Sequence, residues 1–425
     1  MMSSGDTTDG IYYAWNPTRT AKYSAAGLIV DIAPYLEEYA PNLWALIQSD
    51  ETIRKQLYSA DGGIYFVPWI TSDRRLVYGE GFGIRQDWLD KLGLAMPTTT
   101  DELLEVLRQF RAQDANGNGE NDEIITGYQS QLNKLAYAFK TADDYHYAED
   151  GKTVVYGPMT DNYKEFLTFM NTLYAEGILD PDYFTNDSDI YMKKCQEDRV
   201  GLYCDNPGVF GTIMKDGEAN GLSMDYAPMP WIGGYNLSSA TRRYVQPYGV
   251  AISSSCEDVA GILTYLDYFF TEEGNTLLNW GIEGESYEIV DGVYQYTDVV
   301  TNNDTYEATT ALSMYAHPTF VGVQSADAQF ELYTEAQQAF INTWCNADSS
   351  LAIEPFIAFT TEESDIDTQK ATDLSTIQTS WRDKFITGDA SIENDWETYL
   401  NDLAAYGVND LLAIRQAASD RYQAK

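Results

Sequence analysis

Seven oxygen-bearing side chains fall within the ten residues 114–123, which read Asp-Ala-Asn-Gly-Asn-Gly-Glu-Asn-Asp-Glu. Oxygens at alternate positions (Asp114, Asn116, Asn118), with Gly119 at the sixth, match the first half of an EF-hand loop. In such a loop hard oxygen ligands converge on Ca²⁺ and the glycine makes the sharp turn. The second half departs from that pattern, because the twelfth position is Ile125 and not a bidentate Glu. Adjacent Asp122 and Glu123 offer the missing carboxylates. The competing reading is an Asx-rich turn that caps only itself. The expectation is a structural Ca²⁺ held by Asp114, Asn116, Asn118, Glu120, Asp122 and Glu123.

Aromatic side chains are the second group with chemistry to offer. Flat rings stack on the apolar faces of sugar rings, while amides, carboxylates and Arg take the hydroxyls; a pocket of this kind is mostly apolar surface with a few placed polar groups. Trp15, Trp69, Trp231 and Trp280 stand beside turn or breaker residues, and Tyr12, Tyr78, Tyr248 and Tyr287 are similarly placed. Trp44, Trp88, Trp381 and Trp396 lie in helical patterns and read as core. Ordinary packing competes for each ring singly; four loop-flanking Trp together predict an aromatic cleft.

Catalytic candidates are few. The chain has two histidines, His146 and His317, neither in metal-ligand or triad-like spacing, and His317 before Pro318 reads as a turn residue. No GxSxG, HExxH, P-loop or GxGxxG after a strand occurs. Glycoside hydrolysis needs only two carboxylates about 5–10 Å apart. Glu283 with Glu285 is such a pair, but among 66 acidic residues pairs of this kind arise everywhere. A glycoside hydrolase therefore stands as the rival reading, and catalysis is not expected.

These groups need elements to position them. Periodicity predicts helices over 42–58, after Pro97 with a Thr99–Glu102 capping box, over 161–176 before Gly177, and over 257–273 before Gly274. Two more are predicted at 396–406 and 409–422, separated by Gly407. Short apolar runs at 64–67, 153–156, 200–204 and 248–252 read as buried strands. Strands alternating with helices predict an α/β protein with mostly parallel sheets. At roughly 100–200 residues per domain, 425 residues exceed one such sheet, and two α/β lobes are expected.

Composition narrows the partners. With 26 Lys+Arg against 66 Asp+Glu the net charge is −40, which excludes duplex nucleic acid and anionic membrane surfaces. The 33 Tyr, 16 Phe and 9 Trp exclude a disordered acidic chain. Cys195, Cys204, Cys256 and Cys345 show no CxxC or metal-ligand spacing, so the redox compartment is not readable from them. No apolar run approaches the ~18 residues of a membrane span, and no signal peptide is visible.

Several ordered segments carry a family resemblance. They are Gly62-Gly-Ile-Tyr-Phe-Val-Pro68, Gly83-Ile-Arg-Gln-Asp-Trp-Leu-Asp-Lys-Leu-Gly93, Pro97-Thr-Thr and the 114–123 loop, then Ala227-Pro-Met-Pro230 and Tyr248-Gly-Val-Ala-Ile-Ser253. Asn279-Trp-Gly-Ile-Glu-Gly284, Lys384-Phe-Ile-Thr-Gly388 and Trp396-Glu-Thr-Tyr399 before Tyr406-Gly407 complete the series. Each motif alone is weak, but the order covers nearly the whole chain. It resembles the extracellular solute-binding proteins of ABC importers, in the family 1 carbohydrate branch that includes alginate-oligosaccharide binders and, more remotely, maltodextrin-binding protein.

The resemblance implies a two-lobe periplasmic-binding-protein-like (class II) fold that closes on a sugar by a hinge. Crossings are expected near 83–87, near 247–250 and near His317. The first lobe then holds residues 1–84 plus 249–316, and the second 85–248 plus 317–425 with the Ca-type loop. Trp69, Tyr78, Arg85, Trp231, Tyr248, Trp280, Glu283 and Tyr287 lie nearest the crossings or matching loops. Trp231 and Trp280 are the expected stacking platforms, with Arg85 and Glu283 as polar partners; the competing role for Arg85 is structural. Arg74, Arg75, Arg242 and Arg243 make two basic spots, read either as marks of an acidic sugar or as solvated surface. The implied partners are an oligosaccharide and the transmembrane subunits of an ABC permease, for a monomer outside the cell, anchored as a lipoprotein or periplasmic. A sensor or adhesin on the same fold is the further alternative. Met1-Met-Ser-Ser-Gly-Asp6 resembles the end of the family's opening strand-helix-strand unit, so a first lobe lacking its opening strands and anchor cysteine is expected.

Overall fold

The computed structural model describes residues 8–424. The expectation attached to Met1–Asp6 lies outside the described residues. Among the described residues twelve strands are present: β1 (Gly10–Ala14), β2 (Val67–Ile70), β3 (Gly81–Arg85), β4 (Ile124–Ile125), β5 (Tyr145–Tyr147), β6 (Val154–Tyr156), β7 (Val200–Asp205), β8 (Tyr226–Pro228), β9 (Val245–Ile252), β10 (Tyr287–Val290), β11 (Val293–Tyr296) and β12 (Gly322–Val323). Two four-stranded sheets organise the chain, ordered β1-β9-β2-β12 and β4-β7-β3-β8, with β5-β6 and β10-β11 as separate hairpins. Each sheet is the centre of one α/β lobe.

The sheets are not mostly parallel as expected. Only β2–β12 and β4–β7 pair in parallel, while β9 and β3 run against both of their neighbours. The reason is the path of the chain. β3 and β9 are the strands by which it enters each sheet from the other lobe, and each arrives pointing away from the crossing.

Three segments link the lobes: 71–80 between β2 and β3, 229–244 between β8 and β9, and 324–334 after β12. The last leads to the helix Glu335–Trp344, whose Trp344 donates its indole N–H to Phe82 O at 3.1 Å and covers Gly81. The expected boundaries at 84/85, 248/249 and 316/317 therefore move. β3 belongs wholly to the second sheet, and β9 from Val245 and β12 belong to the first.

Local chemistry explains most elements. The helix Thr100–Ala112 carries the full Thr99–Glu102 capping box and buries Leu103, Val106, Leu107 and Phe110. Asp161–Ala175 is capped by Thr160 and buries Phe166, Met170 and Leu173. The helix expected over 42–58 divides into Pro41–Ser49 and Glu51–Leu57, because the Asp50 carboxylate caps the second piece through Ile53 N. That expected over 257–273 is Val259–Asp267, a 3₁₀ turn at Tyr268–Phe270, and a new helix Glu272–Trp280 capped by Thr271. The strand expected at 64–67 is β2, three residues later. Trp396–Ala405 and Val408–Ala424 flank Gly407 as predicted.

Apolar side chains form three cores. The largest fills the second lobe, and a second, including Trp15, Ile32, Leu43, Ile70 and Val250, fills the first. A small third core gathers Trp280, Tyr287, Tyr296, Val300 and Leu312 around the β10-β11 hairpin. Burying each large apolar side chain contributes about 1.5–3 kcal/mol. All four cysteines are free, and among the described residues no helix is long and apolar enough to cross a membrane.

Gly249 sets the approach of β9 to β2. A Cβ there would lie 2.4 Å from Val67 O, a backbone atom that cannot yield. Gly249→Ala is expected to destabilise the first lobe by about 1–3 kcal/mol, the usual effect of overpacking, read as a lowered urea midpoint.

Candidate functional site

The strand ends decide which residues can meet between the lobes. In the first sheet the crossings adjoin Ile70, Val245 and Val323; in the second they adjoin Gly81 and Pro228, level with Asp205. The opposite end of the second sheet carries Arg85 beside Tyr226, and Ile124 beside Val200.

A cavity of about 660 Å³ opens at the crossing end. One wall is the helix Glu272–Trp280, with Asn275, Asn279 and Trp280; a second is Tyr294 of the hairpin; Arg75, Asp327 and Glu331 come from the crossing segments and Gln338 from the second lobe. The rings of Trp280 and Tyr294 lie 5.3 Å apart, with Tyr296 at 4.7 Å behind Trp280. An adjoining groove of about 750 Å³ shares Thr276 and Tyr294 and adds Glu272, Glu273, Glu283 and Tyr287.

Polar groups in the cavity divide into those already engaged and those free for a ligand. The Asn279 amide is fully used: Nδ2 donates to Asn275 O and Val323 O at 2.9 Å, and Oδ1 accepts from Ser325 N at 2.8 Å. It fastens the third crossing to the helix. Arg75 donates from Nη2 to Asp73 at 2.8 Å and to Asp327 at 3.0 Å, and its guanidinium covers the Phe330 ring at 4.9 Å. The hydrogen bond from Arg75 holds the Asp73 carboxyl below the usual carboxylate range. Gln338 donates to the carbonyls of Phe330 and Tyr333, which leaves its own amide oxygen as an acceptor. Glu331 is exposed. Free acceptors beside a flat aromatic wall suit a ligand rich in hydroxyl donors.

The eight expected ligand residues scatter. Trp280 lines the cavity, and Glu283 and Tyr287 line the groove beside it. Trp69, at the crossing end of β2, is half-buried, and Trp231 packs between Phe82 and Tyr137 in the second core. Both keep a buried indole N–H without an acceptor among the described residues. Tyr78 is buried, with its hydroxyl on Ala347 O at 3.1 Å. Tyr248 is exposed on the first sheet, 6.3 Å from the Tyr12 ring. Arg85 is corrected from polar ligand partner to structural residue: it lies at the end of β3 away from the crossings, buried, paired with Asp87 and Asp198 and stacked on Trp88 at 4.2 Å. Sequence reasoning missed Tyr294, Asp327, Glu331 and Gln338 as lining residues, and no motif marks them.

The 113–123 loop joins the helix Thr100–Ala112 to β4, at the end of the second sheet away from the crossings. Asn116 and Asn118 accept backbone N–H groups two residues on, at 3.0 and 2.7 Å, and both amides donate to Asp122 Oδ1 at 3.1 Å. Asp122 also pairs with Arg199 at 2.8 Å. Among the described residues no three His, Cys, Asp or Glu side chains converge as a ready metal cluster. Yet Asp114 Oδ1 and Glu123 Oε2 are buried without a hydrogen-bond partner among the described residues, which is the chemistry a hard cation satisfies. Burial raises the Glu123 pKa above its usual value. The loop's donors thus fit Ca²⁺.

Two α/β lobes, three crossing segments and a cavity lined from both sides define a two-lobed ligand-binding protein. The profile of the bacterial extracellular solute-binding protein family matches residues 1–276, and the chain belongs to that family. It is similar over its whole length to the fructooligosaccharide ABC transporter substrate-binding protein FusA of Streptococcus pneumoniae, at 24% identity and covering 82% of that protein. Lipoprotein LipO of Bacillus subtilis is 27% identical over 92% of this chain and 77% of its own length. Among solved structures, alginate-binding protein AlgQ2 without calcium ion superposes with a TM-score of 0.76, at 23% identity, over 99% of this chain and 87% of that one. A FusA EF-hand mutant in complex with fructo-nystose gives 0.75 at 23% identity, over 100% and 89%.

Proposed function

We propose that this protein is the non-catalytic substrate-binding component of an ABC transporter, capturing an oligosaccharide between its lobes and delivering it to the transmembrane subunits of a permease. The observation that carries this reading is the cavity lined from both lobes, in which the Trp280–Tyr294 pair shares the lining with free acceptors on Glu331 and Gln338. The family membership and the oligosaccharide complex of FusA support the ligand class. In this reading residues 8–70 with 245–323 move against 81–228 with 335–424, and the three crossings act as the hinge. The protein works outside the cell as a lipoprotein-anchored monomer. Asp114, Asn116, Asn118, Glu120, Asp122 and Glu123 hold a structural Ca²⁺. A bound Ca²⁺ supplies the positive charge that unites these oxygens; the chain's own contribution is the turn at Gly117–Gly119 that presents them.

Thermal-shift screening against plant, host and microbial oligosaccharides tests the proposal, with reducing ends assayed in parallel. A melting shift without new reducing ends is expected. Released sugar would make the protein a glycoside hydrolase. Once a ligand is found, Tyr294→Ala is expected to weaken it by about two- to tenfold, since a single ring contact is worth about 0.5–1.5 kcal/mol. Calorimetric titration reads that change.

A further inference from the structure

The charge of the cavity narrows the ligand class, an inference that rests on the oligosaccharide reading above. Arg75 is the only cation among the described residues that line it. That guanidinium is already shared between Asp73 and Asp327, and it offers no unspent charge. Among the described residues Glu331 has no hydrogen-bond or ion-pair partner, and Asp327 is largely exposed apart from its contact to Arg75. The adjoining groove adds Glu272, Glu273 and Glu283 and, among the described residues, no cation.

The other basic spots lie elsewhere. Arg74 is spent on the carbonyls of Cys345 and Ala347, and Arg242 on Glu354 and Ala352 O. Arg243, half-buried in the second crossing, has no side-chain partner among the described residues, but it does not line the cavity. A carboxylate-bearing sugar entering here would meet unneutralised carboxylates with nothing to pair it. A neutral sugar would donate its hydroxyls to the same oxygens.

We propose that the cavity selects uncharged oligosaccharides and rejects uronate-bearing ones, with Asp327 and Glu331 setting the discrimination. Unpaired like charge is an effective means of rejection because it penalises the wrong ligand without weakening the right one. A −40 chain adds a long-range field of the same sign.

The test uses the whole protein and a panel of neutral trimers of the hexoses glucose, galactose, mannose and fructose beside trigalacturonate and an alginate trimer. The best neutral ligand is then compared with its C6-oxidised uronate and with the methyl ester of that uronate. Calorimetry is expected to show the uronate bound at least about tenfold more weakly than the ester. Raising salt to 0.5 M is expected to narrow that ratio through screening. In the double variant Asp327→Asn/Glu331→Gln the ratio is expected to collapse, and the unliganded melting temperature reports that the fold is intact. A uronate bound as tightly as its ester, a ratio unmoved in the double variant, or uronate binding that Arg243→Ala abolishes would overturn the proposal while leaving the oligosaccharide reading in place. Rejection of the ester together with the uronate would make the exclusion steric and also overturn it. No binding by any saccharide would remove the oligosaccharide reading and this inference with it.

Discussion

Replacing Arg382 by alanine is expected to destabilise the second lobe by about 3–5 kcal/mol, the typical effect of stranding a buried charge. Arg382 is 4% exposed and pairs with Asp143. Asp143 also accepts from Gln378 at 2.7 Å, from Asn133 at 2.6 Å and from the Tyr163 hydroxyl. Four partners therefore converge on one carboxylate in the largest core. Truncating the guanidinium leaves that partly buried carboxylate with neutral donors only. Burial, with Asp143 beside it, holds the Tyr163 hydroxyl pKa well above its usual value, so Tyr163 stays a neutral donor to the stranded carboxylate. Urea unfolding checks the prediction. The double variant Arg382→Met/Asp143→Asn, which removes both charges, is expected to recover much of the loss.

Adding Ca²⁺ to the chelator-treated protein is expected to raise its stability by about 2.7 kcal/mol at a hundred times the dissociation constant, by mass action alone. The effect follows from Asp114 Oδ1 and Glu123 Oε2, which are buried and unpaired without a cation. Its pH dependence has a definite sign. The Glu123 pKa is raised in the metal-free fold, so the group favours folding while protonated, and that contribution is lost as pH rises through the raised value. Ca²⁺ needs the ionised form and competes with the proton. The calcium-induced melting shift should therefore be larger at pH 7 than at pH 5, and Glu123→Gln should abolish most of it. A shift independent of pH and unchanged in Glu123→Gln would exclude this loop as the site.

Most short-range signals announced the structure, although Gly274, read as a helix stop, falls inside the helix Glu272–Trp280. The Thr99–Glu102 box, the Gly177 and Gly407 stops and the 114–123 loop all work within a few residues, and each is found where its residues put it. The longest helix, Thr361–Thr387, escaped because its buried face is partly polar: Gln378 and Arg382 face the core beside Leu374 and Phe385. Periodicity tracks apolar residues, and these two are buried because Asp143 awaits them from 235 and 239 residues away. The cleft was legible only in part for the same reason. Trp280 announced itself beside Gly281, whereas Asp327, Glu331 and Gln338 reach the cavity by the path of the third crossing. Arg85 shows the converse error, in which nearness to an expected crossing suggested a ligand contact and the far end of β3 gave it ion pairs instead.

The β10-β11 hairpin and its small core have an evolutionary consequence. Trp280, Tyr287, Tyr296, Val300 and Leu312 satisfy one another without drawing on either main core. The β10-β11 hairpin, which supplies Tyr294 to the cavity's aromatic wall, can therefore drift, lengthen or be exchanged between lineages while both sheets keep their packing, whereas Trp280 rides on the helix that Asn279 ties to β12. Ligand preference would then change in one module, and the machinery of closure would be inherited unaltered.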